Sequence, residues 1–348
     1  MRVRDLGEFG LIARLASRLG TRPDVIVGIG DDAAVLDLGP DAVLIATTDA
    51  QVAGQHFSFD HSSPEDIGHK ALAVNLSDIA AMGAEPLWAL VSLVLPPDFP
   101  VALLDGIYAG VSALADRFGV AVVGGNVAAT AGPLVVDLTV LGRCARGAAI
   151  TRGGAHAGDL VLVTGSLGAA AAGVLSRVGE MAHAEPDPAA LATVRRAQTA
   201  PWPRVREGRA LAATGVVSAM VDVSDGLVAD LGHIAEASAL GVTLDASSVP
   251  VDAAAQVVAD AWGRDPLALA LTGGEDYELV CCVRADGARQ ALDALDALGC
   301  PGTVIGRMEA DRAVRQLLID GEAREWPAHG GWDHLRSPLA ADEHEPRS

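Results

Sequence analysis

Apolar residues along this chain alternate between short unbroken runs and amphipathic stretches, a pattern that predicts a mixed α/β protein. VIVGIG from Val25 and AVLIATTDA from Ala42 are β-rich runs ending on glycine or near aspartate, as buried strands do. Ser63-Pro64-Glu65-Asp66 reads as a helix start, with serine as N-cap, proline at the first position and acids in the first turn. That helix runs through KALAVNLSDIAAM to Gly83, and Pro86 follows as a stop. LWALVSLVLP is then a strand, LLDGIYAGVSALADRFG a helix, and VAVVGGN and PLVVDLTVLGRC two further strands.

Near residue 150 the pattern resets at TRGGAHAGD, a polar glycine-rich stretch before the strand LVLVTG. A helix from about Gly168 to Val178 follows, then a polar connector, GEMAHAEPDPAA, expected to be exposed. SAMVDVS is a strand, and LVADLGHIAEAS is a helix with Leu227, Leu231 and Ile234 on one face. DYELVCCV and TVIGRM are later strands, and the polar ending SPLAADEHEPRS is expected to fray. The expected organisation is an N-terminal α/β domain over 1–150, a C-terminal α/β domain over 151–336 and a tail over 337–348.

A chain of 348 residues is comfortable for two domains, and with 50% hydrophobic and 20% charged residues it is globular rather than disordered. No apolar run reaches the roughly 18 residues a membrane helix needs, and MRVRDLGEFG has no apolar core of a signal peptide. Cys144, Cys281, Cys282 and Cys300 lack CxxC spacing, which fits a reducing, cytoplasmic setting and neither zinc nor a disulfide frame. The net charge of -20 argues against nucleic acid as a partner. It also obstructs any phosphate substrate unless metal ions supply positive charge, because the chain has one lysine, Lys70.

Six aspartates change that picture. Asp31-Asp32 in GIGDDAAVL, Asp49 in TTDAQVAGQH, Asp78 in NLSDIAAMGAEP, and Asp222 with Asp225 in VDVSDG sit in short turns bounding apolar elements. Brought together in a fold, such carboxylates repel unless cations lie between them, and Mg²⁺ with phosphates is the usual occupant of an all-oxygen site. Capping accounts for one acid in VDVSDG, but two acids and Ser224 exceed what a cap needs. Asp78 lies near the C-terminal end of its helix, where the macrodipole disfavours negative charge, with Asn75 on the same face. Neither a Walker P-loop, nor kinase HRD and DFG motifs, nor a GxSxG elbow is present. His56 in GQHF is read either as a core histidine or as a ligand, and the acids of GGEDYEL either as hairpin-turn residues or as substrate contacts.

Taken in order, GEFGLIARLA, GIGDDAAVL, TTDAQVAGQHF, KALAVNLSDIAAMGAEP, TRGGAHAGDLVLVTGSLG, VDVSDGLVADLGHIAEAS and LTGGEDYEL resemble the thiamine-monophosphate kinase family, from Gly7 to about Leu335. The wider superfamily is that of aminoimidazole ribonucleotide synthetase. The resemblance implies a two-domain fold of that type, and a homodimer whose N-terminal sheets pair into a barrel with ATP beside the interface. It implies several Mg²⁺ ions held at Asp32, Thr47, Thr48, Asp49, Asp78, Asn126, Asp222 and Asp225. ATP would touch Tyr108, Gly125, Asn126, Arg152 and Ser224, and thiamine monophosphate His56, Glu275 and Trp332. Asp225 and Arg152 are the candidates for a direct catalytic part.

Three positions depart from the family pattern: Asn126 replaces the usual aspartate, Ala200-Pro201-Trp202-Pro203-Arg204 has one arginine fewer, and Ala169 stands where aspartate is common. The expected chemistry follows from charge. A phosphate monoester is already ionised near neutral pH, its second pKa being about 6, so the acceptor needs no general base. The barrier is repulsion between anions, which bound cations remove. Two other readings fit these residues: a related ATP-dependent enzyme acting on another acceptor, and a nucleotide-binding paralogue without turnover.

Overall fold

The computed structural model describes residues 41–178 and 184–327, together with Arg14, Ser17, Arg22, Val25–Val27 and Val35–Leu36. Asp31, Asp32, Trp332 and the tail lie outside the described residues. Strands β1 (Val25–Val27) and β2 (Val35–Leu36) pair as an antiparallel ribbon.

The N-terminal sheet has the order β3-β6-β4-β5, from β3 (Ala42–Val52), β4 (Glu85–Leu95), β5 (Ala121–Ala129) and β6 (Val135–Ala145). Only β4 and β5 run parallel, and helix α2 (Val101–Phe118) connects them. The strand period of two divides β3 cleanly. Leu44, Ala46, Thr48 and Ala50 are exposed on one face, while Thr47, Asp49 and Gln51 turn toward helix α1 (Pro64–Ala81). On that inner face Leu72, Leu76 and Ile79 of α1 join Val91, Leu93, Val136, Leu138 and Val140 in one core.

Helix α1 begins as expected, with Ser63 Oγ accepting from the Asp66 N–H at 3.1 Å. It is buried on nearly every side because it lies between the N-terminal sheet and the second half of the chain. Gly68 and Gly110 allow α1 and α2 to cross closely, since a Cβ at either would stand under 2 Å from a carbonyl oxygen of the other helix's segment.

The second sheet has the order β13-β12-β9-β11-β7-β10-β8. Its strands are β7 (Leu160–Thr164), β8 (Val217–Asp222), β9 (Gly241–Asp245), β10 (Leu279–Val283), β11 (Gly302–Glu309), β12 (Arg315–Ile319) and β13 (Glu322–Glu325). The helices between are α3 (Ala169–Val178), α4 (Pro188–Thr199), α5 (Val205–Thr214), α6 (Leu227–Ala237), α7 (Ala253–Ala261), α8 (Pro266–Thr272) and α9 (Ala288–Asp296). Leu162, Met220 and Cys281 from one face of this sheet join the core around α1, while Val163, Val221 and Cys282 face a second core with Leu231 and Ile234 of α6. Apolar packing is therefore continuous between the two sheets.

Two expectations change. The polar stretch after Val178 is not all connector: helix α4 starts at Pro188, capped by Asp187, and buries Val194. The strand expected over DYELVCCV starts only at Leu279. Ahead of it Glu275 and Tyr277 hold left-handed backbone, at φ 68° and 53°. This segment links α8 to β10, whose partners are β7 and β8, so it is not a hairpin turn. Among the described residues no helix is long and apolar enough to cross a membrane.

Candidate active site

Consecutive residues of α1 reach opposite ways, because neighbours on a helix point about 100° apart. Asp78 faces β3, where Thr47 Oγ1 donates to its Oδ2 at 2.6 Å. Ser77 faces the second sheet and donates to Oδ2 of the buried Asp222, also at 2.6 Å. Asp49, Asp78 and Asp222 thus gather from a strand, a helix and the end of another strand. Burial pushes the Asp49 carboxyl up to about 7, helped by the charges of Asp78, Asp137 and Asp225. Burial likewise raises Asp78, against the hydrogen bond from Thr47 and the charge of Arg152. Asp222 is held well above the ordinary carboxylate range, by full burial and then by Asp78. Such a set holds protons or cations. Two buried amide oxygens, Asn75 Oδ1 and Gln51 Oε1, accept no hydrogen bond among the described residues, while Asn75 Nδ2 donates to Ala71 O at 3.0 Å. Carboxylate and carbonyl-type oxygens are a donor set suited to a hard cation.

The turn after Asp222 corrects the capping expectation. Gly226 occupies the cap of α6 without a side-chain bond, at φ 120°. The backbone N–H groups of Ser224, Asp225 and Gly226 instead donate to Oδ2 of Asp230, at 3.1, 3.1 and 3.0 Å. Asp230 is raised to about 7 by burial and by Asp225, so these three bonds only partly offset desolvation. The arrangement leaves Asp225 out of the capping. It lies with Asp230 and His233 so that one ligand atom from each falls within 4.8 Å of the others.

Every acid of GGEDYEL has a partner of its own. Glu275 pairs with Lys70 of α1. Asp276 accepts from the N–H groups of Gly168 and Ala170, at 2.7 and 3.1 Å, and so caps α3, the helix that carries Ala169. Glu278 is gripped by Arg204 of the APWPR run and accepts from Thr164 Oγ1 at 2.6 Å. The loop is tied back by Glu275 N–H to Ser224 O (2.8 Å) and Tyr277 N–H to Val223 O (2.9 Å). Close approach requires Gly274, where a Cβ would stand 2.3 Å from Ser224 O.

The remaining expected residues are dispersed around this group. Thr48 is on the outer face of the sheet and donates to Asp137 Oδ1 at 2.9 Å. Asn126 shares that face, through the register Ala50–Asp137–Ser92–Asn126, but stands on the far edge strand β5. Three strand spacings separate it from β3, about 14 Å, so within one chain Asn126 does not join Asp49. Gly125 is needed by the strands themselves, as a Cβ there would meet Val91 O at 1.8 Å. Tyr108 is buried in α2, and burial raises its phenol. Arg152 is exposed, with its carbonyl accepting from Ser238. His56 closes the turn after β3, its Nδ1 accepting from the Val52 N–H at 2.9 Å.

Lys70, Asp137, Asp230 and His233 are missed by the sequence reading. The lone lysine inside an apolar helix was a usable signal. For the others only the fold supplies the neighbours.

Comparisons with known proteins give the family. The model for AIR synthase related protein, N-terminal domain, matches residues 30–144, and that for the C-terminal domain matches residues 156–317. The thiamine-monophosphate kinase of Escherichia coli K12 is 40% identical over 337 residues, 95% of this chain and 99% of that protein. Its counterpart in Mycobacterium tuberculosis H37Rv is 36% identical, over 97% and 94%. The crystal structure of the Stenotrophomonas maltophilia enzyme has a TM-score of 0.79 at 39% identity, covering 92% of this chain and 98% of that one. AaThiL complexed with AMPPCP and TMP has a TM-score of 0.72 at 30% identity, covering 96% and 99%. Hydrogenase maturation protein HypE, at 22% identity and a TM-score of 0.72, shares the fold alone. The chain therefore belongs to the AIR synthase related proteins, with their two-domain α/β fold. Within them it stands among the thiamine-phosphate kinases, ATP-using transferases of thiamine biosynthesis.

Proposed function

We propose that this chain transfers the γ-phosphoryl group of ATP directly to the phosphate of thiamine monophosphate, giving thiamine diphosphate and ADP. An acceptor phosphate oxygen forms the new bond to phosphorus as the bridging bond to ADP breaks, in line. The observation that carries the reading is the meeting of Asp49, Asp78 and Asp222 across the two sheets, all raised by burial, with the charge of Asp78 raising the other two further. The relative bound to AMPPCP and TMP supports the choice of substrates.

Asp49, Asp78, Asp222 and Asp225, with Thr47 and by resemblance Asp32, are the residues that would hold Mg²⁺. When bound, the ions supply the positive charge that lets two phosphates approach in a protein of net charge -20. Ser77 and Thr47 keep two of the carboxylates oriented through their hydroxyl bonds. Arg152 lies close enough for its charge to act on Asp78, a position suited to a phosphate clamp. Glu275 and the His56 turn would hold the cationic thiamine portion, with Trp332 by resemblance.

We read the outer face of the N-terminal sheet, where Leu44 is 47% exposed beside Ala46 and Ala50, as the surface that pairs two copies. Pairing is also what would bring Asn126 of one copy toward the β3 residues of another. A cytoplasmic setting fits the free cysteines. Incubation with Mg-ATP and thiamine monophosphate, followed by chromatography for the diphosphate, tests the reading; ADP without the diphosphate, or no turnover, would overturn it.

A further inference from the structure

Lys70 is the one lysine in the chain and is 3% exposed, a placement that requires partners. Its Nζ has two, from opposite halves of the molecule: the Glu275 carboxylate and, at 3.4 Å, the His56 carbonyl. Each partner sits in a turn with a special backbone. The His56 turn passes through Gly54 at φ 85° and is closed by His56 N–H to Val52 O at 3.0 Å. Glu275 is itself left-handed, a conformation that persists only where surroundings enforce it.

The other Glu275 oxygen is approached by Gln198 Nε2 at 3.4 Å, and Arg177 in turn donates to Gln198 Oε1. Yet the Glu275 side chain remains 28% exposed. A buried cation beneath a reachable carboxylate holds its direction without covering it.

We propose that Lys70 is a positioning residue for the phosphate acceptor. It locks the Glu275 turn and the His56 turn at one relative position across the two halves, so that both meet the cationic heterocycle together. The inference rests on the function proposed above. Lys70 acts through Glu275 and His56 rather than on the transferred group, and the ATP side of the site does not depend on it. Removing the ammonium frees the Glu275 side chain, whose backbone stays tied to Ser224, and cuts the tie to the His56 carbonyl.

The test compares steady-state kinetics of wild type, Lys70→Met and Lys70→Met/Glu275→Gln with thiamine monophosphate and Mg-ATP varied separately. Lys70→Met should raise KM for thiamine monophosphate about tenfold or more and leave KM for Mg-ATP within about twofold. In the double variant the losses should be less than additive, as for residues acting as one unit. If Lys70→Met does not fold, Lys70→Gln carries the same comparison, keeping a donor but no charge. Equal rises in both KM values, an unchanged acceptor KM, or full additivity overturns the positioning role while leaving the kinase reading intact. A wild-type protein that makes no thiamine diphosphate overturns both.

Discussion

Two acidic regions meet α1, and they are built differently. In the Gly273–Glu278 loop each carboxylate has a protein partner: Lys70 for Glu275, two helix N–H groups for Asp276, Arg204 for Glu278. At Asp49, Asp78 and Asp222 the partners are the hydroxyls of Thr47 and Ser77 and a bond between Asp49 and Asp78 themselves, and the charge of Asp78 raises both Asp49 and Asp222. Burial is similar, so compensation distinguishes them. Acids answered by the protein hold the fold in place; acids left to repel are ready to be answered by something bound.

The sharpest way to break this contrast is to remove the answer from the first region. Arg204→Met leaves Glu278 buried without its cation and should lower stability by about 3–5 kcal/mol, read by urea denaturation. A loss below about 1 kcal/mol would mean the pair is no more than a surface contact. The second region should respond in activity instead. Asp78→Asn and Asp225→Asn should each lower kcat about 10²-fold or more, with stability in EDTA unchanged or raised as repulsion falls. Near-normal turnover in both would sink the cation site.

A smaller effect concerns pH. Burial holds the Asp276 carboxyl at about 7, above its ordinary 3.8. The folded state therefore keeps a proton that the unfolded chain releases first. The stability this group contributes is present below about pH 4 and is lost as pH rises to about 7. Asn stays neutral, so the stability difference between Asp276→Asn and wild type should move toward the variant by on the order of 1–3 kcal/mol across that window. A pH-independent difference would show that the helix N–H groups fully offset the buried charge. The smallest change is expected at Asn126, where Asp should lower the half-saturating Mg²⁺ concentration several-fold and alter kcat less. An identical titration would remove position 126 from the cation site in the assembly as well as in the single chain.

Much of this was legible in the residues, and the failures have physical causes. Helix α1, the strands that bound it and the candidacy of Asp49, Asp78 and Asp222 follow from caps, from apolar runs ending near acids and, for Asp78, from an acid placed against the helix dipole. Helix α4 was hidden because its charged, alanine-rich sequence presents little apolar face, although Asp187-Pro188 marked its start. The GGEDYEL loop looked like a hairpin because glycine before acids is also turn chemistry, and its left-handed residues gave no signal of their own. Asp230 was overlooked because a side chain inside a first helical turn ordinarily points to solvent, whereas here the chain folds back over it.

What the sequence determined by itself were the elements and the chemical kind of the site, since helix caps, strand alternation and the charge of a carboxylate are local properties. Tertiary structure alone decided which carboxylates share a neighbourhood. Packing between two sheets sets Asp78 against Thr47 and Ser77 against Asp222, puts Asn126 three strands away on the opposite face, and gives a lone lysine its glutamate 205 residues further along. Electrostatic partnership falls off over a few ångströms of space, and distance along the chain does not measure it.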